Sequence, residues 1–260
     1  MRRLLIYSVV IVIGGGLLFF IKGDNSVKDF GINLLAASFI IVLELIIENY
    51  SRISLFIQTR TKYRNIQIRF SVSYLYQIEV LGKYLLVKGN RIDQYQPVGG
   101  VYKRYRESFY QLRKLKVTDD NSIPIDDKSQ GDLRIRLIGS NVTKFLKWFN
   151  SQLGREVSPH REFHEELIST QILDQSVFPY PNYIYLYRHQ TPIHWSDHFS
   201  CYEILIADIF KLMPNESQIA YLKEMMSKNS EHFLWVSSDD IRDKGARLGV
   251  KISETSNWTL

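Results

Sequence analysis

REFHEEL, residues 161–167, is the stretch that decides the fold. Glu162, Glu165 and Glu166 fall at positions i, i+3 and i+4, so a helix would place their three carboxylates on one face. The apolar residues of the stretch supply the opposite stripe, which can dock the helix on a sheet. Stacked like charges destabilise a helix, and a hard divalent cation with oxygen ligands is the usual compensation. The pattern therefore leaves two interpretations open, a solvated acidic face or a magnesium or manganese site.

Strand patterns lie on both sides of this helix. Residues 66–80 alternate with period two, and 82–89 follow across a Leu-Gly turn, which predicts paired strands. Further strands are predicted over 132–139, 182–189, 199–210 and 232–237, and further helices over 142–152 and 218–229. The helix that carries REFHEEL is predicted to begin near Ser158, with Pro159 at its first position. This order of elements predicts a mixed α/β domain, an α/β/α sandwich over 65–260.

The first 50 residues predict a membrane anchor. Leu4 to Ile21 is an uncharged run of 18 residues, which nearly matches a hydrocarbon core of about 30 Å. A second apolar run extends from Phe30 through Ile47, so we expect a two-helix transmembrane hairpin over 1–50 rather than a cleaved signal peptide. Arginines precede the first run and basic residues follow the second, which predicts that both ends face the cytoplasm.

Charge is concentrated directly behind this anchor. The chain has a net charge of +6, and residues 51–120 carry 14 Lys or Arg against five Asp or Glu. We expect 51–64 to be a basic linker beside the membrane. Anionic headgroups and a phosphate-bearing ligand would both explain the excess. Cys201 is the only cysteine, which excludes an intramolecular disulfide and favours a reducing compartment.

The segment VYKRYRESFYQLRKLK, residues 101–116, interleaves six cations with aromatic residues. Cations can contact phosphates while aromatic rings stack on bases. The predicted ligand-binding residues here are Lys103, Arg104, Arg106, Tyr102 and Tyr105. A basic surface that lies on anionic lipid is the alternative. A nucleic-acid polymer is not expected, because the segment is short and no recognition module accompanies it.

REFHEE also matches the core of the Nudix box, whose pattern is Arg-Glu-apolar-any-Glu-Glu. Upstream, GKYLLVKGNRIDQYQPVGG (82–100) resembles the strand and turn that precede the box, with Pro97, Gly99 and Gly100 at the Pro-Gly-Gly turn. The two glycines would let the backbone approach a phosphate-bearing ligand. The resemblance implies Mg²⁺ held by Glu162, Glu165 and Glu166, with Glu165 and Glu166 catalytic if the domain is a hydrolase.

The box departs from the family pattern in three places. An interval of 61 positions separates Gly100 from Arg161, so an insertion splits the motif. Arg106 stands where the early glutamate is expected, with Glu107 one position away, and Ser169 replaces the late glycine. These departures favour ligand binding over pyrophosphatase activity.

A split Nudix domain behind two transmembrane helices resembles the SMODS-associated Nudix proteins of bacterial anti-phage CBASS systems. That resemblance implies an inner-membrane effector whose Nudix-like domain binds a cyclic oligonucleotide second messenger, after which the helices assemble as a homo-oligomer and damage the bilayer. Two alternatives remain, a membrane-tethered Mg-dependent hydrolase of a nucleoside diphosphate-linked substrate and a tethered scaffold without a nucleotide ligand.

Overall fold

The computed structural model describes residues 25–89, 92–122, 124, 126–127, 129–228 and 230–260. The chain divides into two compact units, Met1–Thr61 and Lys62–Leu260. The boundary lies close to the predicted start of the α/β domain at residue 65.

The N-terminal unit is helical throughout its described part. Helix α1 spans Asn25–Glu48 and helix α2 spans Tyr50–Arg60. Within α1, Asp29–Glu48 is long and apolar enough to cross a membrane, with a mean hydropathy of 2.4, and it is the one such span in the part of the chain that the structure describes. It contains the predicted second span, whereas the predicted first span, Leu4 to Ile21, lies outside the described residues. The segment predicted as a linker, 51–64, is helical as far as Arg60.

Two sheets organise the second unit. The strands of the described residues are β1 (Gln67–Gln77), β2 (Glu79–Val80), β3 (Lys83–Lys88), β4 (Tyr95–Pro97), β5 (Gly99–Val101), β6 (Thr118–Asp119), β7 (Arg134–Ile138), β8 (Tyr183–Gln190), β9 (His194–Ser196), β10 (Cys201–Leu212) and β11 (Phe233–Ser237). Seven of them form the larger sheet, with the order β6-β7-β1-β10-β8, while β5 pairs with β1 and β9 with β10. In the smaller sheet β3 lies between β11 and β2 and also pairs with β4.

The helices connect and cover these sheets. They are α3 (Phe109–Lys114), α4 (Val142–Asn150), α5 (His160–Phe163), which continues as a π-helical turn over His164–Ile168, α6 (Glu216–Met225) and α7 (Ser238–Arg242). Short 3₁₀ turns occupy Arg106–Ser108, Gly139–Asn141, Ala246–Leu248 and Glu254–Thr259. The mixed α/β class predicted from the order of elements is confirmed.

Strand β1 organises the core because it lies near the middle of the large sheet and pairs in parallel with β10. Its even-numbered residues from 68 to 76 are all fully buried on one face. There the ring of Phe70 meets that of Phe145 from α4 at 5.1 Å, and the ring of Tyr76 meets that of Phe163 from α5 at 5.4 Å. Burial of each such side chain contributes about 1.5–3 kcal/mol. The predicted strand over 66–80 is in fact two strands, since only its end, β2, pairs with β3.

The insertion between Gly100 and Arg161 is an integral part of the domain. It supplies β6 and β7 to the large sheet, and β7 pairs antiparallel with β1 from Gln67 to Ser71. It also supplies α4, which buries Phe145 and Phe149. The segments on either side of the insertion therefore meet across a sheet that the insertion itself completes.

Candidate functional site

The helix that carries REFHEEL begins directly after Pro159 and changes from α-helix to π-helix at His164. Phe163 and Leu167 are fully buried, so the apolar stripe docks on the sheet. A π-helical turn inserts an extra residue into the helix and is frequent at functional sites. The acidic side chains consequently emerge beside strand β5.

Glu156, Glu162, Glu165 and Glu166 form an acidic cluster, and Arg161 lies at its centre. Its Nε and Nη2 donate to the two carboxylate oxygens of Glu156 at 3.0 and 3.1 Å, a bidentate pair. Its Nη1 donates to Glu162 at 2.5 Å and reaches Glu165 at 3.4 Å. Bidentate arginine–carboxylate pairs are the strong form of ion pair. Arg161 therefore provides the positive charge against which three glutamates are packed.

The helix that carries REFHEEL contacts all three residues of strand β5. The Gly99 amide donates to Oε2 of Glu166 at 2.9 Å, and Nη2 of Arg161 donates to the Val101 carbonyl at 3.0 Å. At Gly100 a Cβ would lie 2.0 Å from the carboxyl carbon of Glu162, so only glycine admits this approach. Both glycines predicted to face a phosphate-bearing ligand are therefore in contact with the protein's own carboxylates.

Glu156 is a residue of the site that sequence reasoning missed. It is 7% exposed, its Oε2 accepts from the Lys103 amide at 3.2 Å, and its own amide donates to the Lys103 carbonyl at 2.8 Å. It forms the bidentate ion pair with Arg161, the arginine of REFHEEL. An acid five residues before an arginine is a common pattern, so the sequence held no distinctive signal for it.

Burial shapes the electrostatics of the cluster. Desolvation raises the pKa of Glu166 to about 8, and the charges of Glu162 and Glu165 act in the same direction against the Gly99 amide. Desolvation also raises the pKa of Glu162, although Arg161 opposes the shift. The Tyr74 hydroxyl is fully buried and has no hydrogen-bond partner in the part of the chain that the structure describes. Desolvation and the charge of Glu156 raise its pKa.

The predicted magnesium ligands do not fit a cation in this arrangement. Glu162 and Glu165 are directed at Arg161, and Glu166 is directed at the Gly99 amide. Among the described residues, no group of three or more His, Cys, Asp or Glu side chains is placed to hold a metal ion. In this arrangement the guanidinium of Arg161 supplies counter-charge to Glu162 and Glu165, and a magnesium ion at these carboxylates stays a prediction.

The raised pKa of Glu166 leads to a prediction about pH. Its carboxyl stays protonated in the folded protein up to about pH 8, whereas an unfolded glutamate ionises near pH 4.5. The stability that this group contributes is therefore complete below about pH 4.5 and is lost as the pH rises toward 8.

Glu166→Gln keeps the oxygen that accepts from Gly99 but cannot ionise. Between pH 5 and 8 the free energy of unfolding of the variant should increase relative to that of the wild type, by at most about 1.4 kcal/mol for each pH unit. Denaturant titrations at several pH values measure the difference. Parallel profiles of the two proteins would contradict the raised pKa of the Glu166 carboxyl.

A groove of about 810 Å³ lies beside the acidic cluster, within the size range of ligand pockets. Of the predicted ligand-binding residues, Arg104, Tyr105 and Arg106 line it. Phe109 and Arg134 line it as well, and neither was predicted. The basic and aromatic segment is therefore the wall of a cavity and not a flat surface.

The cations of the groove are largely paired within the protein. Arg104 Nη2 donates to Asp119 at 2.5 Å, and Arg134 pairs with Asp132. Asp120, in the groove lining, accepts from the buried Arg69 at 2.6 Å. Among the described residues, three arginines and four acidic residues line the cavity, so the acids outnumber the cations by one.

Lys103 and Tyr102 lie behind the groove wall. Nζ of Lys103 donates to the Gln130 carbonyl at 2.9 Å and to Asp132 at 3.1 Å. Tyr102 is 2% exposed, and its hydroxyl donates to Asp208 at 2.8 Å. A ring packed in the core cannot stack on a base, so Tyr102 is left out of the proposed ligand surface.

Asp132 links the groove to the acidic cluster. It lines the groove and pairs with Lys103, and its charge is among those that raise the pKa of Glu162. The Lys103 backbone is in turn bonded to Glu156 on both sides. The groove and the acidic cluster are thus neighbouring parts of one region, joined by the segment that follows β5.

The mixed α/β domain, with this helix docked beside a Gly-Gly strand, is compatible with a Nudix-type domain. The family model of the SMODS-associated NUDIX domain matches residues 67–260, and the chain belongs to that family. No curated protein matches the chain.

Proposed function

We propose that the protein is a membrane-anchored effector of a CBASS-type anti-phage system, in which the Nudix-type domain binds a cyclic oligonucleotide without cleaving it. Membership of the SMODS-associated family supports a link to the synthases of such messengers. The apolar span Asp29–Glu48 supports the anchor, at the inner membrane with the domain in the cytoplasm. On ligand binding the anchors of several chains assemble and disrupt the bilayer.

The observation that carries the binding role is the engagement of the box carboxylates. A hydrolase needs carboxylates that are ionised and directed at the substrate or a metal-bound water. Here Arg161 and the Gly99 amide hold these side chains against strand β5, and burial raises the pKa of Glu166 to about 8. The cluster therefore fixes the position of β5 through these hydrogen bonds, an arrangement that we call the clamp on strand β5. Directly after β5 the chain forms the wall of the groove.

The groove is the proposed ligand site. Tyr105 and Phe109 are about half exposed, so their rings are accessible for stacking on bases. Arg104 and Arg106 supply positive charge for phosphates, and Nε of Arg104 is buried with no hydrogen-bond partner among the described residues. A phosphate that competes with Asp119 for Arg104 gains a charge-assisted bond. The carboxylates that line the groove can accept hydrogen bonds from the amino groups of bases.

The floor of the groove is pre-organised for this task. Asp120 accepts from Arg69 at 2.6 Å and from Arg136 at 2.8 Å, and Arg69 also donates to Glu203 at 2.8 Å. These bonds connect the cavity to β7, β1 and β10 of the large sheet. A rigid floor lowers the ordering cost of binding.

The test is calorimetric titration of the detergent-solubilised full chain with cyclic di- and trinucleotides and with nucleoside diphosphate derivatives, with and without magnesium, while cleavage is assayed. We expect one cyclic nucleotide to bind without turnover. Cleavage of a diphosphate with indifference to cyclic nucleotides would overturn the proposal in favour of a tethered hydrolase. Anionic vesicles are titrated in parallel, and binding of the vesicles without binding of any nucleotide would favour the scaffold.

Tyr105→Ala should weaken binding of that nucleotide roughly 5- to 150-fold, because stacking on one aromatic side chain contributes about 1–3 kcal/mol per base. Tyr180→Ala is the matched control, since Tyr180 is 80% exposed and does not line the groove. Equal affinities of the two variants would show that the ligand lies elsewhere.

A further inference from the structure

Strand β8, Tyr183–Gln190, is an edge of the large sheet with an unusual surface. Within the described chain it pairs only with β10, which leaves its other side open. Ile184, Tyr185, Leu186 and Tyr187 are consecutive large apolar residues, exposed by 47%, 54%, 36% and 40%. An open edge with apolar side chains on both faces of the strand is a template for pairing with another strand.

The backbone of β8 offers hydrogen bonds toward solvent. The Met213 amide donates to the Asn182 carbonyl, and the Thr191 amide donates to the Leu205 carbonyl. These two bonds show, at each end of β8, which residues direct their backbone groups toward β10. In an antiparallel ladder every second residue directs its N–H and C=O to the partner and the residues between direct theirs outward. The outward set is Tyr183, Tyr185, Arg188 and Gln190.

Natural edge strands are commonly blunted by proline, lysine or a bulge. Strand β8 contains neither proline nor lysine. It has one irregularity, a shift of register between Ile209 and Phe210 of β10, where Leu186 has no partner. The bulge divides the edge into Tyr183–Tyr185 and Tyr187–Gln190 but leaves outward amides in both halves.

The charge of strand β8 indicates which partner can pair with its open edge. Arg188 is its only ionised side chain, and Nε and Nη2 of that arginine donate to Asp208 at 2.6 and 3.0 Å. Like charges placed opposite each other destabilise a strand pair, and this edge presents none to an identical strand. The chain has a net charge of +6, and the repulsion between two copies is smallest where the surfaces that meet carry no net charge.

We propose that β8 is a self-association edge, through which two copies of the chain pair antiparallel about a twofold axis and join their large sheets. A twofold axis places the same surface of each copy in contact, and antiparallel pairing of identical strands meets that condition. The proposal is independent of the nucleotide ligand, because β8 does not line the groove.

Hydrogen–deuterium exchange of the full chain in detergent, measured over a range of protein concentrations, tests the proposal. Amides of peptides that cover 183–190 should exchange at least about tenfold more slowly at the highest concentration. Tyr185→Pro should abolish this dependence, because proline removes an outward N–H and leaves the ladder with β10 intact. Tyr185→Thr, which keeps the amide and suits a strand, should retain it.

A second variant guards against misfolding of the proline protein. Leu186→Lys places like charges at the edge and should also abolish the concentration dependence, whereas Leu248→Lys, at another exposed leucine, should not. Exchange at 183–190 that is independent of protein concentration would overturn the proposal. So would slow exchange that appears in dilute protein only when anionic vesicles are added, because it would identify a lipid surface as the occupant.

Discussion

Arg161→Met is expected to lower the free energy of unfolding by about 3–5 kcal/mol, because removal of one partner leaves buried carboxylates uncompensated. Glu156 and Glu162 keep only 9% and 14% of their side-chain surface exposed, and both face the guanidinium. Methionine keeps much of the length of arginine and fills the space with an apolar chain, so the loss reports the charge and its hydrogen bonds. Denaturant unfolding of the full chain in mild detergent, followed by tryptophan fluorescence, measures it.

Arg242→Met is the matched control. Arg242 pairs with Asp239 at 3.0 Å, but both side chains are more than 60% exposed. An exposed pair contributes about 0–1 kcal/mol, so this variant should unfold close to the wild type. If Arg161→Met also stayed within 1 kcal/mol of the wild type, as surface substitutions do, the clamp on strand β5 would be refuted.

Gly99→Ala should be of similar severity. A Cβ at this position would lie 2.1 Å from the carbonyl oxygen of Tyr74, and the φ angle of +151° is one that L side chains rarely adopt. The obstacle is backbone of the central strand β1, which cannot move without disturbing its pairing with β10. We expect a loss of at least about 3 kcal/mol, since the collision adds to the strain of the φ angle.

Gly82→Ala separates strain from collision. Gly82 has a φ angle of +72°, but nothing lies within 4 Å of an added Cβ. This variant should therefore lose only about 1–2 kcal/mol in the same denaturant titration. Equal losses for the two substitutions would show that the contact between β5 and β1 carries no special weight.

The strands and helices were predictable where the signal is local. Strands β1, β8 and β10 and helix α4 lie in segments whose periodicity or apolar runs predicted them, because side chains of one element face one neighbour. The acidic triplet and its need for a counter-charge were predictable for the same reason.

The identities of the partners were not predictable, because they depend on how distant segments meet. Tyr102 stands among cations in the sequence, yet its hydroxyl is bonded to Asp208, 106 positions away. Glu156 reaches Arg161 only because the loop before α5 folds back along Lys103. Periodicity reports which face of an element is apolar, and it does not report which distant residue will cover that face.

The pairing of β1 with β10 also sets the order of events during synthesis. Arg69 and Glu203, which are bonded across this pair, are 134 positions apart. At about 5–20 residues per second the ribosome needs roughly 7–27 seconds to reach the second strand after the first. Parallel pairing over such a distance cannot begin earlier. The apolar span Asp29–Glu48 is therefore complete, and available for the proposed insertion into a membrane, while the domain that follows it is still unfinished.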